Sequence, residues 1–305
     1  MIVTIGICTF KRPRMLAETL KSIASLKLPN NFIYNLIVVD NDENFSSKDC
    51  FKNYKFSNLN TTYQIAHVRG IAYARNKVLQ LANHFNTDLL CFIDDDEIVD
   101  KNWMESYLES YKNYKADVIC GPALPIYPKN TPNWIKKGKF FETSNKMEGK
   151  YLNCSATNNV IFDFKKLFGE YGLRFNESLK SREDNDFFMR AHIKGAKIRH
   201  TNKAIVYESI PLSRMNLNWL LKRVYKSGEA YSKRELIRSG KIAGTTLIIS
   251  KIIYRIIRGL ITMPLAILKG YCYFVKSIQQ FSIVTGMIGG LLGSNYDDYK
   301  IIHGS

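Results

Sequence analysis

The chain has 305 residues, 46% of them apolar and 12% aromatic, enough for one large α/β domain with an appendage. Its formal charge of +17 implies a polyanion or an anionic membrane surface nearby. Six scattered cysteines (Cys8, Cys50, Cys91, Cys120, Cys154, Cys272) without a C-x-x-C pair argue against a zinc site and favour a reducing compartment.

The first predicted strand is Ile2–Cys8. No basic n-region and long apolar h-region precede it, so no signal peptide is expected and a cytoplasmic location is predicted. Thr9–Pro13 reads as the following loop. Met15–Leu26, with Leu16, Leu20, Ile23 and Ala24 at helical spacing, reads as a helix. Tyr34–Val39 is a second strand, ending at Asp40-Asn41-Asp42. Thr62–Val68 is a third, and Ile71–Asn83 a helix carrying Arg75 and Asn76. Leu89–Ile93 is the fourth strand and runs straight into Asp94-Asp95-Asp96-Glu97. This alternation predicts a parallel sheet wrapped by helices, in which ligands sit outside the carboxyl ends of the strands. Thr9–Arg12, Asp40 and Asp94–Asp96 all fall at such ends. Four successive carboxylates repel one another, and a divalent cation among them explains the arrangement, because hard ions favour carboxylate oxygens. An acidic turn leading into a helix explains it too. On the acidic run alone both readings stand.

The middle of the chain is mixed. Asp117–Gly121 and Val160–Phe162 read as strands, and Lys197–Tyr207 as two short ones. The loop Gly121–Lys139 carries four of the eight prolines and Trp134, whose ring would either stack on a sugar or pin the loop to the core. Ser181–Arg190 places Glu183, Asp184 and Asp186 ahead of an amphipathic helix. A helix start is served by one carboxylate, and a surplus one near a metal site would act as general base.

Beyond Arg214 the character changes. Residues 212–293 hold thirteen Lys/Arg against only Glu229 and Glu235. Asn218–Ser227 and Glu229–Ser239 read as basic helices. Leu247–Leu268 is mostly apolar, but Lys251, Arg255 and Arg258 mark one helix face. A helix lying in the headgroup layer is therefore expected rather than a spanning one. Phe281–Leu292 is short, apolar and rich in glycine. The tail is expected to lie on the membrane; a shallow re-entrant hairpin and a buried helix of a soluble domain are the other readings.

Taken together, Thr9-Phe10-Lys11-Arg12-Pro13, Val38-Val39-Asp40-Asn41-Asp42, Arg69–Asn76, Phe92–Glu97 and Glu183-Asp184-x-Asp186 resemble family 2 glycosyltransferases of the GT-A fold, over roughly residues 1–228. A narrower likeness is to bacterial exopolysaccharide glucosyltransferases of the succinoglycan type. These share the C-T-F-[KR]-R start, I-D-D-D-E, the Gly121-to-Trp134 loop pattern and E-D-x-D-F-F. The resemblance implies a Rossmann-like mixed sheet flanked by helices, with a catalytic domain at 1–228, and the pattern beyond it predicts a basic amphipathic membrane-associating tail at 229–305. It implies an inverting transfer of a hexose, glucose favoured, from a UDP-sugar to a polyprenyl-diphosphate-linked saccharide in exopolysaccharide or lipopolysaccharide synthesis. The enzyme would be peripheral, on the cytoplasmic face of the inner membrane. Asp40, Thr9 and Arg12 would line the nucleotide pocket, and Arg75 would approach the base or diphosphate. Asp94 and Asp95 would lie on the nucleotide side, and Asp96, with Asp94, would hold Mn²⁺ or Mg²⁺. Asp184 would be the base with Glu183 in support, while Asp186 and Trp134 would face the acceptor. His200 reads as a strand histidine before it reads as a metal ligand. The Q-x-x-R-W signature of processive members does not appear in matching context, which favours single addition. The alternatives are a nucleotidyltransferase acting on sugar phosphates and a nucleic-acid-binding protein. The first lacks a Gly-rich loop after strand one; against the second, the cations lie beside apolar helices, so no nucleic-acid partner is expected.

Overall fold

The computed structural model describes residues 1–142, 146–179 and 182–294; Ser181 of the acidic motif and residues 295–305 of the expected tail lie outside them. In chain order the elements are β1 (Ile2–Thr9), α1 (Pro13–Ala24), β2 (Ile33–Asp40), α2 (Lys48–Lys52), β3 (Asn60–Ile65), α3 (Ile71–His84), β4 (Leu89–Asp94) and β5 (Glu97–Val99). Next come α4 (Trp103–Tyr114), β6 (Val118–Cys120), β7 (Ala123–Ile126), α5 (Asn133–Gly138), β8 (Tyr151–Leu152), β9 (Asn159–Asp163), α6 (Glu183–Ile193), β10 (Ile198–His200) and β11 (Val206–Ser209). Four helices follow: α7 (Leu217–Ser239), α8 (Lys241–Thr262), α9 (Leu265–Lys269) and α10 (Tyr271–Leu291). The described chain forms two compact units, one from Met1–Ile126 with Glu142–Ser209, the other from Tyr127–Phe141 with the chain from Ile210 onward.

The first unit is built on an eight-stranded sheet in the order β3-β2-β1-β4-β9-β6-β10-β8, with a small sheet β5-β11-β7. β3, β2, β1 and β4 run parallel, as the alternation predicts, while β9 is antiparallel to both β4 and β6, so the sheet is mixed, as the resemblance implies. The apolar runs of β2 and β4 look continuous because both faces of the sheet are covered. Ile37, Val39, Leu90 and Phe92 pack under α3 and α6, whereas Leu36, Val38, Leu89, Cys91 and Ile93 pack under α1 and α4. β1 carries Gly6 where α3 crosses: a Cβ there would sit 2.5 Å from Val78 Cγ1. On the opposite face Trp103 of α4 is fully buried, and its Nε1 donates to Asn159 Oδ1 (2.8 Å). Asn159 also accepts from Tyr107 Oη and donates to the carbonyls of Pro122 and Ala204, joining four segments at one amide.

The second unit is helical, and three sequence expectations change there. The two basic helices predicted over 218–239 are one, α7, so residue 228, the predicted domain end, lies inside it. Gly228 does not break the helix; it lets α10 lie against it. A Cβ on Gly228 would strike the Ile283 carbonyl, and one on Gly286 the Tyr225 carbonyl. The predicted apolar segment 247–268 is interrupted at Pro264, which cannot donate to a helix interior. α10 begins at Tyr271, ten residues before the predicted run. The Pro-rich loop is also more ordered than expected, forming β7 and α5. Among the described residues no helix is long and apolar enough to cross a membrane.

Candidate active site

Register brings three strand ends to one rim. β1 pairs with β2 so that Thr9 lies opposite Asp40, and with β4 so that Cys8 lies opposite Asp94. After β4 the chain turns at Asp95–Asp96 and returns as β5, which fixes the four carboxylates in four different settings. Asp95 is buried and accepts from Thr9 Oγ1 (2.7 Å) and Arg12 Nη1 (3.2 Å), while its carbonyl accepts from Thr19 Oγ1 (2.9 Å). Asp96 is also buried and lies 3.6 Å from the same Arg12 nitrogen. Glu97 is buried; its Oε2 accepts from the Asp94 N–H (3.1 Å) and its Oε1 from Asn158 Nδ2 (2.9 Å). Asp94 alone offers much of its side chain, 44%, to solvent.

The confinement shows in the acidities. Desolvation, with Asp96 and Asp95 beside it, outweighs Arg75 and pushes Asp94 up to about 7. Desolvation and Asp96 push Asp95 up to about 6 against the pull of Arg12 and Thr9. Burial, Asp94 and Asp96 raise Glu97 well above the ordinary carboxylate range. A rim of acids held against their ionisation favours any cation that comes to it.

Across from this turn stands the start of α6. Arg75 of α3 is buried under the rim, with Nη1 on Glu183 and Nη2 3.7 Å from Asp94 Oδ1. Burial opposes its charge, but Glu183, Asp184 and Asp94 outweigh burial and raise its pKa. One guanidinium therefore joins the end of β4 to the first residue of α6. Arg182 enters that helix in the left-handed region (φ 63°), and no side chain caps it. Asp184, next along, is half-buried and accepts from the N–H and Nδ2 of Asn185 (2.7 and 3.1 Å).

Several expected ligand groups are engaged by the protein itself. Asp40 is fully buried and accepts from the N–H of Asp42 and of Ser47 (both 3.0 Å) and from Tyr63 Oη (2.7 Å), so it ties its own loop. Thr9 is 3% exposed, its hydroxyl turned to Asp95. Asp186 pairs with Arg190 one turn along α6 rather than joining Glu183 at Arg75. Trp134 is half-buried in the second unit, edge-on to Phe140 (5.6 Å) and Tyr271 (5.2 Å). His200 is buried in β10 with Nε2 against Asn202 Oδ1 (3.0 Å), while its Nδ1 meets no partner among the described residues, so the expected satisfied strand histidine is satisfied at one nitrogen. Sequence reasoning missed Asn41, whose Nδ2 donates to the carbonyls of Ala66 and Val68 and whose Oδ1 accepts from Gly70 N–H. That bracket sets the entry to α3 and hence the position of Arg75. Its only sequence signal was its place between Asp40 and Asp42.

The donor set is all oxygen, which suits a hard divalent cation. Among the described residues no group of three or more His, Cys, Asp or Glu converges tightly enough to hold an ion alone. Asp94, at the end of β4, and Asp96, in the turn after it, are the two residues that would hold such an ion.

A mixed sheet with this rim defines a GT-A glycosyltransferase, and the chain belongs to Glycosyl transferase family 2, whose profile matches residues 4–168. Among its relatives is the succinoglycan biosynthesis protein ExoM of Rhizobium meliloti, 32% identical over 239 residues that cover 76% of this chain and 74% of that one. The fold is shared with the S. aureus TarS 1–349 structure (TM-score 0.56, 16% identity, covering 100% of this chain and 95% of that one). It is also shared with the mannosyltransferase PcManGT of Pyrobaculum calidifontis, solved with GDP-Man and Mn²⁺ (TM-score 0.64, 14% identity, covering 95% and 86%).

Proposed function

We propose that the chain is a metal-dependent, inverting hexosyltransferase. It moves a hexose, glucose favoured, from a UDP-sugar to a polyprenyl-diphosphate-linked saccharide in bacterial exopolysaccharide or lipopolysaccharide synthesis. The observation that carries this is the Arg75 bridge, which holds a carboxylate suited to a metal–diphosphate unit (Asp94) and the residue beside a candidate base (Glu183) on one guanidinium. The relatives agree in kind: ExoM is named for succinoglycan biosynthesis, and TarS has been solved with UDP and with UDP-GlcNAc. Family membership sets aside the nucleotidyltransferase and nucleic-acid readings.

In this reading Asp94 and Asp96 hold the divalent ion, Mn²⁺ or Mg²⁺, which when bound offsets the charge on the departing nucleoside diphosphate. Arg12 keeps the Asp95–Asp96 turn from springing apart, and Thr9 fixes Asp95 behind it. Asp184 takes the proton from the acceptor hydroxyl as that oxygen attacks the anomeric carbon from the side opposite the leaving group. A single displacement inverts that centre, so an α-linked donor yields a β-linked product. Glu183, fixed on Arg75, positions Asp184. The acceptor is membrane-borne, and the enzyme is peripheral on the cytoplasmic face, which accords with the basic helical second unit.

The test is calorimetric titration of UDP into the full chain with Mn²⁺ and again with EDTA. Metal-dependent binding supports the reading, and UDP-sugars then resolve the donor. Binding of another nucleoside diphosphate alone changes the donor, and no binding of any overturns the assignment of the acidic rim.

A further inference from the structure

The polarity of α8 runs opposite to what water selects. Ile249, Ile253, Ile257, Leu260 and Ile261 lie on one arc of the helix and are 49%, 53%, 51%, 58% and 66% exposed. The inward arc carries Gly244, Ile248 and Gly259, all buried, together with the half-buried Lys251 and Arg255. Arg255 Nη1 donates to Gln280 Oε1 of α10 (2.9 Å), and Ser277 Oγ of α10 donates to the Gly259 carbonyl (2.7 Å). Arg255, the middle residue of the stripe predicted to meet lipid headgroups, thus belongs to the polar seam between α8 and α10, and the apolar arc faces out. α9 adds Ile267 and Leu268, 88% and 82% exposed.

A water-facing monomer rarely keeps so long an apolar arc uncovered. A helix that puts hydrogen-bonding groups against its neighbour and isoleucines outward matches a hydrocarbon solvent, where polar groups must be satisfied inside the protein. The surrounding charge selects the kind of lipid. Lys241, Arg258 and Lys269 are exposed at the margins of this surface. The described residues of the unit hold seventeen Lys and Arg against Glu229 and Glu235, which already pair with Lys233 and Arg238. Two copies brought together through such a surface would repel, whereas anionic headgroups complement it.

We propose that the outward arc of α8, with α9, is an insertion surface that beds into the interfacial layer of an anionic bilayer, while Arg255 serves the inside of the unit. The inference deepens the membrane location proposed above and rests on that part of the reading alone, not on the donor or on the catalytic residues.

The test is sedimentation of the full chain with phosphatidylcholine–phosphatidylglycerol vesicles and with pure phosphatidylcholine vesicles. The expected result is binding to the mixed vesicles, reduced about tenfold or more by the double variant Ile253→Asn, Ile257→Asn, which removes buried apolar area without touching the helix seam. Arg255→Gln, with its thermal unfolding matched to the parent, is expected to bind vesicles as the parent does. Strong loss with Arg255→Gln and none with the isoleucine pair overturns the assignment and leaves the membrane location standing. No binding to either vesicle by the parent chain overturns both, while metal-dependent UDP binding, measured separately, continues to report on the donor site. A lipid-free dimer that the isoleucine variant dissolves also overturns the proposal, in favour of a second copy.

Discussion

The two units break the ordinary rule of polarity in opposite directions. The first draws carboxylates inward: Asp95, Asp96 and Glu97 are buried at the end of an apolar strand. The second turns isoleucines outward and tucks a guanidinium between helices. Each inversion costs stability in water alone, and each marks where the missing interaction is to be supplied. The first calls for a cation carrying an anionic ligand, the second for hydrocarbon fringed with negative charge. On the proposals made above, the first unit would hold the chemistry and the second the address.

The sharpest way to break this division is at Asp184. Replacement by Asn is expected to lower transfer about 10²–10⁴-fold, the usual worth of a general base, while metal-dependent UDP affinity stays unchanged. A near-parental transfer rate would remove Asp184 from the mechanism. Next in size, Arg75→Ala leaves Glu183 and Asp94 without their shared partner. Loss of one partner from a buried ion pair costs about 3–5 kcal/mol, so a fall in the denaturant midpoint is expected, with Arg75→Lys recovering part of it. A stable Arg75→Ala protein would mean that the bridge is not what joins β4 to α6. Smaller again, Asp96→Ala is expected to weaken UDP binding in Mn²⁺ about tenfold, roughly 1.4 kcal/mol, with little change in EDTA. Equal affinity in Mn²⁺ would reassign the ligand to Asp94 or Asp95.

The smallest effect is one of pH. Asp94 and Asp95 keep their protons in the folded chain up to about 7 and about 6, against 3.8 as the ordinary value. Between those limits the folded state binds more protons than the unfolded one, so stability falls as pH rises through that window. In EDTA the melting temperature is expected to drop from about pH 5 to about pH 7.5, chiefly through the buried Asp95, because solvent screens the 44%-exposed Asp94, so Asp94→Asn flattens the slope only in part. Asp88 and Glu148, whose acidities are shifted the other way, act only in more acid solution. A melting temperature that rises across the window would show that the rim is not held against its ionisation.

Local signals in the chain told much of this and concealed the rest for physical reasons. Leu89–Ile93 ending in four acids announced a doubly covered strand with a polar rim, and that strand and rim are present. For Asp40 the sequence shows a carboxylate at a strand end. It does not show that Tyr63 and two backbone N–H groups, one of them that of Ser47, occupy it. The partner of Arg75 lies 108 residues away, beyond any periodicity. In α8 the spacing of Lys251, Arg255 and Arg258 defined two arcs correctly. Which arc meets the neighbour depends on α10, whose extent was hidden because its first turns are mixed in character. Gly228 read as a break, because nothing local tells a glycine that ends a helix from one that admits another backbone.

The distribution of indoles has a practical outcome. Trp103 lies fully buried in the first unit against Asn159, whereas Trp134 and Trp219 sit among the aromatics of the second. The tryptophan emission of a Trp103→Phe chain comes only from the helical unit, and that of a chain with the other two replaced only from the first unit. Intrinsic fluorescence thus gives each unit its own optical channel, in which nucleotide, vesicle and denaturant titrations can be followed side by side without an attached dye.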